Sequence, residues 1–340
     1  MSALVQRVTV LGGGVIGLSV AWRVAASGCA VTVFDDGART AGSWVAGGML
    51  APVTESWPGE EELLDLGSRS LALWPAFAGE LGDVGLRTEG TLAVALDSAD
   101  MGVLDQLAGH LRGLGREADR LTGRELRALE PGLGPRVRGG LSVPGDLAVD
   151  NRRLLSALRG ACAANDVRFE PRRATPSTVD ADVVVIAAGA WSGGLHPALE
   201  PVIRPVKGEI LRLAARRGAL PPPTRTIRAH VEGRPVYLVP TDDGLVVGAT
   251  QYESGFDEAV TVGGVRDLLR DAEVVLPGIA ECGLVESAAG FRSGSPDNMP
   301  VIDWLEPGVL AATGHHRNGL LLAPITAEKV LALLRGGGTR

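Results

Sequence analysis

Short apolar runs alternate with segments of helical periodicity over the first part of the chain. Residues 8–11 (VTVL) and 31–34 (VTVF) are rich in β-branched side chains, which is typical of strands. Between them the apolar residues recur at helical spacing, and Gly28 follows as a candidate C-terminal cap. The pattern predicts a β-α-β unit whose two strands are interior strands of a parallel sheet.

Later segments extend this picture. The run at 183–188 is apolar throughout, as in a strand buried on both faces, so distant segments would assemble the parallel sheet. Proline and glycine break the chain at 131–135. The other periodic segments predict helices at 62–81, 101–130 and 319–335, and strands of an antiparallel sheet at 202–213, 235–240 and 244–250. We therefore predict an α/β fold of two interwoven domains.

Composition narrows the classes of function. The 340 residues include 33 basic and 40 acidic side chains, a net charge of −7, without a basic stripe that could neutralise phosphates, so we expect no nucleic-acid partner. No segment reaches the ~18 apolar residues of a membrane span, and glycines interrupt the apolar start, so we expect neither a membrane nor export. The three cysteines are widely spaced, which argues against disulfides or a metal site and suits the cytoplasm.

A glycine-rich turn joins the first predicted strand to its helix. Gly12, Gly14 and Gly17 fit the G-x-G-x-x-G pattern. The first allows a tight turn, the second lets backbone approach a pyrophosphate, and the third lets helix and strand pack closely. Asp35 ends the second predicted strand, where its carboxylate can accept hydrogen bonds from ribose hydroxyls. The pattern predicts an adenine dinucleotide and does not distinguish FAD from NAD.

Two further segments favour a flavin. Ser43 and residues 46–49 form a small-residue stretch that would let backbone N–H groups approach a planar ring or a pyrophosphate, although composition alone also fits a flexible loop. Residues 314–319 (GHHRNG) precede the final predicted helix. A helix start at that point could stabilise negative charge on a ligand, such as the N1–C2=O edge of a reduced flavin.

Taken together, these segments resemble a known family. The matching stretches run in family order from residue 8 to residue 328: VTVLGGGVIGLSVAW, SWVAGGMLAPVTE, RTEGTLAVA, LEPGL, VVVIAAGAWS, PVKGEILRL, VYLVPTDDGLVVGAT, GFRSGSPDNMPVI and GHHRNGLLLAPITAE. They resemble the D-amino-acid oxidase superfamily of FAD-dependent amine oxidases, and within it the glycine oxidases of thiamine biosynthesis. The AGGMLAP and GHHRNGLLLAP stretches are the most specific, because generic Rossmann proteins lack them.

The resemblance implies non-covalent FAD and a particular α/β architecture. A Rossmann-like FAD-binding domain of the glutathione-reductase type would be interleaved with an antiparallel-sheet substrate domain. The predicted FAD-binding segments are 1–80, 146–200 and 285–340, and the predicted substrate-binding segments are 81–145 and 201–284.

The resemblance also assigns residues to the cofactor. The positions matching Val15 and Ile16 hold the pyrophosphate in the family, those matching Asp35 and Asp36 bind the adenosine ribose, and the one matching Ala174 contacts adenine through its backbone. The segment matching 315–321 lies along the isoalloxazine ring. The full predicted cofactor-binding set is Gly12, Gly14, Val15, Ile16, Gly17, Asp35, Asp36, Gly42, Ser43, Gly47, Gly48, Met49, Ala174, Gly189, His315, His316, Arg317, Asn318, Gly319, Leu320 and Leu321.

Three residues are predicted to act on the substrate. Arg292 matches the family arginine that pairs with the substrate carboxylate, and a guanidinium fork offers two parallel N–H donors to such a group; read alone, it could instead pair with Asp297. Tyr237 matches a tyrosine whose hydroxyl reaches the same carboxylate, with a packing role as the alternative. Arg317 is predicted to orient substrate or to offset the charge of reduced flavin.

Five other positions bear on this hypothesis. His315 and His316 are predicted to shape the flavin site more than to accept protons. Lys207 is predicted to be a solvated lysine at a strand end, with a role for its charge in oxygen reduction as the alternative. Pro235 and Gln251 stand where some relatives place a polar side chain and a methionine, so both could alter which amines fit.

The resulting hypothesis is an amino-acid oxidase. Glycine, with sarcosine and small D-amino acids as further candidates, would transfer a hydride from Cα to flavin N5 and give an imine or glyoxylate, ammonia and, with oxygen, hydrogen peroxide. The imine could feed thiazole synthesis, and a homo-oligomer is expected. The alternatives are a related D-amino-acid or sarcosine oxidase, a flavin dehydrogenase, an NAD-dependent dehydrogenase and a non-catalytic FAD-binding module.

Overall fold

Two large β-sheets organise the chain in the computed structural model, which describes residues 7–218 and 221–336. The strands are β1 (Arg7–Leu11), β2 (Ala30–Phe34), β3 (Met49–Leu50), β4 (Thr91–Ala95), β5 (Asp119–Thr122), β6 (Gly139–Val143), β7 (Leu147–Ala148), β8 (Arg168–Glu170), β9 (Val183–Ile186), β10 (Arg204–Ala214), β11 (Thr226–Val231), β12 (Arg234–Thr241), β13 (Gly244–Gly248), β14 (Gly283–Gly294), β15 (Val301–Glu306) and β16 (Val309–Thr313). The helices are α1 (Val15–Ala26), α2 (Gly42–Val45), α3 (Glu61–Leu81), α4 (Ser98–Gly113), α5 (Gly123–Leu129), α6 (Asn151–Ala164), α7 (Val262–Val275) and α8 (Ala323–Arg335), with 3-10 turns at Pro176–Thr178, Gly189–Leu195 and Pro277–Glu281.

The six-stranded sheet contains the predicted β-α-β unit. Its strand order is β15-β16-β9-β1-β2-β8. β1 is parallel to both neighbours, so Val10 lies level with Val33 on one side and Val185 on the other. α1 packs against α6 and α8, and their apolar side chains form one core with Val8 and Val10. The predicted unit and the addition of a strand from 183–188 are confirmed.

The eight-stranded sheet has the order β14-β10-β13-β12-β11-β4-β6-β5. The predicted strands at 202–213, 235–240 and 244–250 are β10, β12 and β13, and they pair antiparallel. The predicted antiparallel sheet also contains one parallel pair, formed by β11 and β4. Leu211 and Leu238 point into a core shared with α7. Their neighbours in sequence face the other way, toward the cavity described below.

The prediction of one helix over 101–130 is wrong. The structure has α4, then β5, then α5 across this region. Gly113 and Gly115 weaken the helix at its end, and Gly115 adopts a φ of +66° that continuous helix does not allow. Thr122 and Glu125 then form a reciprocal capping box that begins a new helix.

The final helix begins at Ala323 rather than at residue 319. Pro324 lies in its first turn, where proline is tolerated, whereas a proline in the interior of a helix predicted from 319 would break it. The residues just before Ala323 therefore form turns instead of helix.

β14 crosses the predicted domain boundary at residue 285. It pairs with β10 along Gly283–Gly294, while Phe291 within it also bridges Ala41 next to α2. β14 thus contacts segments assigned to both predicted domains. The division into two domains stays a prediction. None of the helices formed by the described residues is both long and apolar enough to cross a membrane.

The approach of α1 to the turn after β1 depends on Gly17. A Cβ at this position would overlap the carbonyl oxygen of Gly12 and lie 3.3 Å from a methyl group of Val10. Because backbone cannot yield as a side-chain tip can, Gly17→Ala is expected to lower the free energy of unfolding by about 1–3 kcal/mol, measured by denaturant titration.

Gly160→Ala in α6 is the matched control, since a Cβ at that position meets nothing within 4 Å. It should leave stability unchanged or raise it by up to about 1 kcal/mol. Equal losses of stability in the two variants would contradict the close-packing argument.

Candidate active site

A single cavity of about 1070 Å³ runs between the two large sheets. One end opens at the carboxyl ends of β1 and β2, marked by Leu11 and Phe34, and the other end reaches Tyr237 on β12 and Arg292 on β14. The carboxyl edge of a parallel sheet is where such folds bind ligands. The cavity therefore joins a nucleotide-type site to a smaller polar pocket.

Backbone lines the nucleotide end. Gly12 has a φ of +113°, which favours glycine, and its N–H donates to the carbonyl of Phe34 at 2.9 Å. The N–H of Val15 donates to Oγ of Ser43 at 3.0 Å, and a Cβ on Gly14 would lie 3.1 Å from the same oxygen. The glycines add no side chain of their own at the start of α1, and the hydroxyl of Ser43 occupies one of its N–H groups.

Two acidic residues mark the far side of this end. Asp35 accepts a hydrogen bond from Arg159 at 2.5 Å, and Asp36 accepts one from Arg173 at 2.5 Å. Both acids and Ala174 line the cavity. Sequence reasoning missed Arg159 and Arg173, because they lie more than a hundred residues away from their partners along the chain.

A buried asparagine holds the loop that follows β2. Nδ2 of Asn151, at the start of α6, donates to the carbonyl oxygens of Ser43 and Trp44 at 2.8 and 2.9 Å. Its Oδ1 accepts from Arg212 at 2.7 Å. This loop continues into the small residues 46–49, whose backbone lines the cavity. Sequence reasoning missed Asn151, which has no motif around it.

Two neutral histidines lie on the turns before α8. His315 is buried and its Nε2 shares a hydrogen bond of 2.9 Å with Oγ1 of Thr326. Burial lowers the pKa of His315 to about 3, and burial followed by repulsion from Arg317 lowers the pKa of His316 to about 3. Both imidazoles are therefore uncharged and weakly basic near neutral pH.

Most of the predicted cofactor-binding residues share this cavity. Three do not line it: Gly17 lies behind the turn, Asn318 donates its N–H to the carbonyl of His315, and Leu321 packs in the core. The carbonyl of Leu321 accepts from Ser70 and Trp74 of α3, which fixes the turn. The residues that line it are Gly12, Gly14, Val15, Ile16, Asp35, Asp36, Gly42, Ser43, Gly47, Gly48, Met49, Ala174, Gly189, His315, His316, Arg317, Gly319 and Leu320.

Tyr237 lines the cavity from β12 of the eight-stranded sheet. Its ring fills the space that a Cβ on Gly47 or on Gly248 would occupy, with 2.6 Å from the Gly47 position to Cε2. Its hydroxyl makes no hydrogen bond to any described residue. Burial raises the pKa of Tyr237, so the phenol stays protonated and can donate a hydrogen bond.

Arg292 lies beside this tyrosine with most of its hydrogen-bonding capacity open. Its guanidinium packs over Gly208 of β10, 2.6–2.7 Å from where a Cβ would stand, and Nη1 donates to the carbonyl of Thr250 at 3.3 Å. Burial lowers the pKa of Arg292, but an arginine keeps its charge at neutral pH. The alternative pairing with Asp297 is wrong, because that carboxylate accepts from the N–H of Met299. Arg317 lies on the cavity wall and repels Arg292.

The prediction of a solvated Lys207 is wrong. Its side chain is 1% exposed, Nζ donates to Asp257 at 2.6 Å, and the buried Glu209 lies 3.6 Å away. Because β10 passes under the segment that follows Thr250, this lysine ties that segment to the sheet instead of reaching solvent. It thereby helps to place the Thr250 carbonyl that Arg292 contacts.

Two charged residues of the pocket were not singled out from sequence. Glu55, in the loop between β3 and α3, and Arg228, on β11, both line the cavity, with 3.0 Å between Oε1 and Nη1. Glu55 lies within the matched stretch SWVAGGMLAPVTE, but nothing in that stretch indicates which way its side chain faces. Only the register of β11 against β12 brings Arg228 opposite Tyr237.

Comparison with known proteins places the chain in a family. A family model described as FAD dependent oxidoreductase (DAO) matches residues 7–333. A glycine oxidase of Geobacillus kaustophilus is 32% identical over 96% of this chain and 92% of its own length. A putative thiamine biosynthesis oxidoreductase, ThiO, of Rhizobium etli is 35% identical over 96% of this chain and 95% of its own. The crystal structure of the Geobacillus glycine oxidase superposes with a TM-score of 0.88, at 31% identity, over 98% of this chain and 96% of that one.

The chain therefore belongs to the DAO family of FAD-dependent oxidoreductases. It is an FAD-dependent amino-acid oxidase of the glycine oxidase and ThiO type. The family resemblance, the fold class and the cofactor predicted from sequence are confirmed.

The residues present fit FAD. The cavity is at the upper end of the roughly 300–1000 Å³ typical of ligand sites, as an extended dinucleotide requires. Gly14, Gly47 and Gly48 line the cavity at positions where a Cβ would press against Ser43, Tyr237 and the backbone of Val149, respectively. Asp35 and Asp36 stand at the end that the ribose would occupy.

The seat of Arg292 on Gly208 gives a direct prediction. A methyl group at residue 208 would collide with the guanidinium, which is the tip of a flexible side chain and can move aside. Gly208→Ala should therefore fold and retain FAD. The kcat/KM for the amino-acid substrate should fall about 10- to 100-fold, because Arg292, the predicted partner of the substrate carboxylate, would be misplaced.

Gly283→Ala, on the same strand as Arg292 but with nothing within 4 Å of its Cβ, is the control and should keep wild-type kinetics. The measurement is the steady-state kcat/KM of both variants, with the FAD content of each determined from its absorbance spectrum. Wild-type kinetics in the Gly208 variant would show that the guanidinium position is unimportant.

Proposed function

We propose that this chain is an oxidase for small amino acids, with glycine as the leading substrate and oxygen as the electron acceptor. The observation that carries the proposal is the pair Tyr237 and Arg292. Both present open hydrogen-bond donors inside the cavity that begins at the glycine-rich turn. A half-buried cation beside a protonated phenol is a receptor for a carboxylate.

The cofactor would be held by the residues of the larger end. Backbone of residues 12–16 and Ser43 would hold the phosphates, Asp35 and Asp36 the ribose, and residues 46–49 with 315–320 the ring system. When bound, FAD supplies the acceptor for the hydride that leaves the substrate Cα.

The substrate would be fixed at its carboxylate. The fork of Arg292 and the hydroxyl of Tyr237 together restrain its rotation, so that the same Cα–H bond points at the cofactor in each turnover. Arg292 also places positive charge inside the cavity, which stabilises negative charge arriving there, and Arg317 adds positive charge from a more exposed position on the cavity wall. His315 and His316 remain neutral shaping residues, since their depressed pKa values make them poor proton acceptors.

The products would be an imine, which hydrolyses to glyoxylate and ammonia, and hydrogen peroxide. The name of the Rhizobium etli relative refers to thiamine biosynthesis. That relationship supports a role in the thiazole branch of the pathway, in which the imine is passed on. Association into a homo-oligomer is part of the proposal and is measurable by light scattering.

The substrate class is tested by anaerobic reduction of the purified holoprotein. Glycine should bleach the flavin absorbance most effectively in a panel that includes sarcosine, D-alanine and L-alanine. Admission of oxygen should restore the absorbance and yield one peroxide per turnover. A spectrum that no member of the panel bleaches would contradict the proposal, and bleaching without peroxide would point to a dehydrogenase.

The carboxylate anchor is tested by Arg292→Ala. Loss of one partner of a buried charged pair should raise the KM for glycine by about 30-fold or more, equivalent to roughly 2 kcal/mol, while FAD stays bound. Arg292→Lys should recover only part of the loss, because a single ammonium cannot make two parallel bonds. Arg266→Ala, at an exposed position on α7, is the control; an unchanged KM in the Arg292→Ala variant would overturn the assignment.

A further inference from the structure

The proposed substrate pocket contains a further carboxylate, that of Glu55. Glu55 lies in the loop at 51–58 between β3 and α3, lines the cavity and has a side chain only 11% exposed. No described residue donates a hydrogen bond to its carboxylate. Its one close polar contact is the ion pair with Arg228 at 3.0 Å. Nearly buried carboxylates normally have their hydrogen-bond acceptor positions filled. Those of Glu55 are open, and are therefore available to a ligand.

The carboxylate lies close to the proposed carboxylate anchor. Arg228 on β11 is directly opposite Tyr237 on β12, which places both on the same face of the sheet. Burial is the main influence on the pKa values of Tyr237 and Arg292, and the negative charge of Glu55 acts to raise both. Glu55, Tyr237 and Arg292 therefore share one electrostatic environment.

The surrounding structure holds Glu55 in place. Thr54, the preceding residue, donates its hydroxyl to Asp146 at 2.7 Å, and Asp146 is completely buried. The N–H of Glu55 itself donates to the carbonyl of Ala51 at 3.1 Å. Arg228 then fixes the head group from the sheet side. A carboxylate restrained at both its backbone and its head group loses little freedom when it binds a ligand.

The other acids on the cavity wall are already engaged. Asp35 and Asp36 pair with arginines at the nucleotide end. Asp100, at the start of α4, accepts from the N–H of Leu96 at 3.0 Å. Among the described acids that line the cavity, Glu55 alone combines proximity to Tyr237 with open acceptor positions.

An amino acid presents two opposite charges a short distance apart. Arg292 and Tyr237 account for the negative end only. We propose that Glu55 binds the amino group of the substrate as a hydrogen-bond acceptor, and that it thereby selects α-amino acids over α-hydroxy acids of the same size. This inference rests on the proposed function, because it takes Arg292 as the site of the substrate carboxylate.

Arg228 has a defined part in this arrangement. It is the only described cation in ion-pair contact with Glu55, and it orients the carboxylate when no substrate is bound. The pair is neutral as a unit, so it does not attract a second carboxylate. An ammonium group entering the pocket forms a charge-assisted bond with the open oxygen of Glu55, whereas a hydroxyl forms only a weaker bond. The ammonium must release one proton to water before the hydride leaves Cα, because only the neutral amine gives the imine.

The test compares two ligands that differ only in this group. Glycine and glycolate carry the same carboxylate, and glycolate has a hydroxyl in place of the amine. In Glu55→Gln holoenzyme the KM for glycine should rise about 10- to 100-fold, whereas the inhibition constant of glycolate should change less than about twofold. Glu55→Asp should recover part of the glycine affinity, because it retains the charge.

Asp100→Asn is the matched control, since it removes an acid that lines the same cavity but is already bonded; its KM for glycine should remain at the wild-type value. FAD content and thermal midpoint are recorded for every variant. Equal weakening of glycine and glycolate would show a general packing role and overturn the proposal. Unchanged affinity for both would overturn it as well, while the wild-type activity would leave the proposed function intact. A wild-type protein that oxidises no amino acid would instead refute the proposed function.

Discussion

An arginine enclosed between two sheets costs free energy unless an anion meets it. Arg292 has one hydrogen bond to a carbonyl oxygen and no ion pair among the described residues. Natural proteins leave few buried cations in this condition outside functional sites. The phenol of Tyr237 and the carboxylate of Glu55 have open polar groups in the same space. The stability of the site in the absence of ligand must therefore come from the structure that surrounds it.

That surrounding structure consists of buried polar contacts between segments that are distant in sequence. Asn151 holds the loop after β2 from the start of α6, and Lys207 ties the segment after Thr250 to β10. Trp74 and Ser70 hold the turn before α8. Each contact satisfies backbone or charged groups that would otherwise be left without partners. Together they fix the loops of both sheets against one cavity.

Glycines set the distances within this framework. Gly47 and Gly248 leave the space that the Tyr237 ring occupies, and Gly208 leaves the space under the Arg292 guanidinium. In each case the absent side chain lets a functional group approach backbone closely. The positions of Tyr237 and Arg292 are thus decided by three residues that carry no reactive side chain.

The sequence by itself determined the parts of this protein that depend on local order. The β-α-β unit and its dinucleotide site could be predicted from hydrophobic periodicity and from the spacing of Gly12, Gly14, Gly17 and Asp35. These residues act within one supersecondary unit, so their spacing along the chain carries the information. Family resemblance supplied FAD and the reaction class. Sequence analysis failed in predicting one continuous helix over 101–130, although Thr122 and Glu125 carry the signal of a new helix start.

Only the tertiary structure decided which side chains meet. Strand register places Arg228 opposite Tyr237, and no local pattern encodes that pairing. The burial of Lys207 follows from a segment some fifty residues later folding over β10. Glu55 lines the cavity in a loop that is held by the bond between Thr54 and Asp146, ninety-two residues away. Long-range contacts of this kind depend on packing, which is a property of the whole chain and not of any window of it.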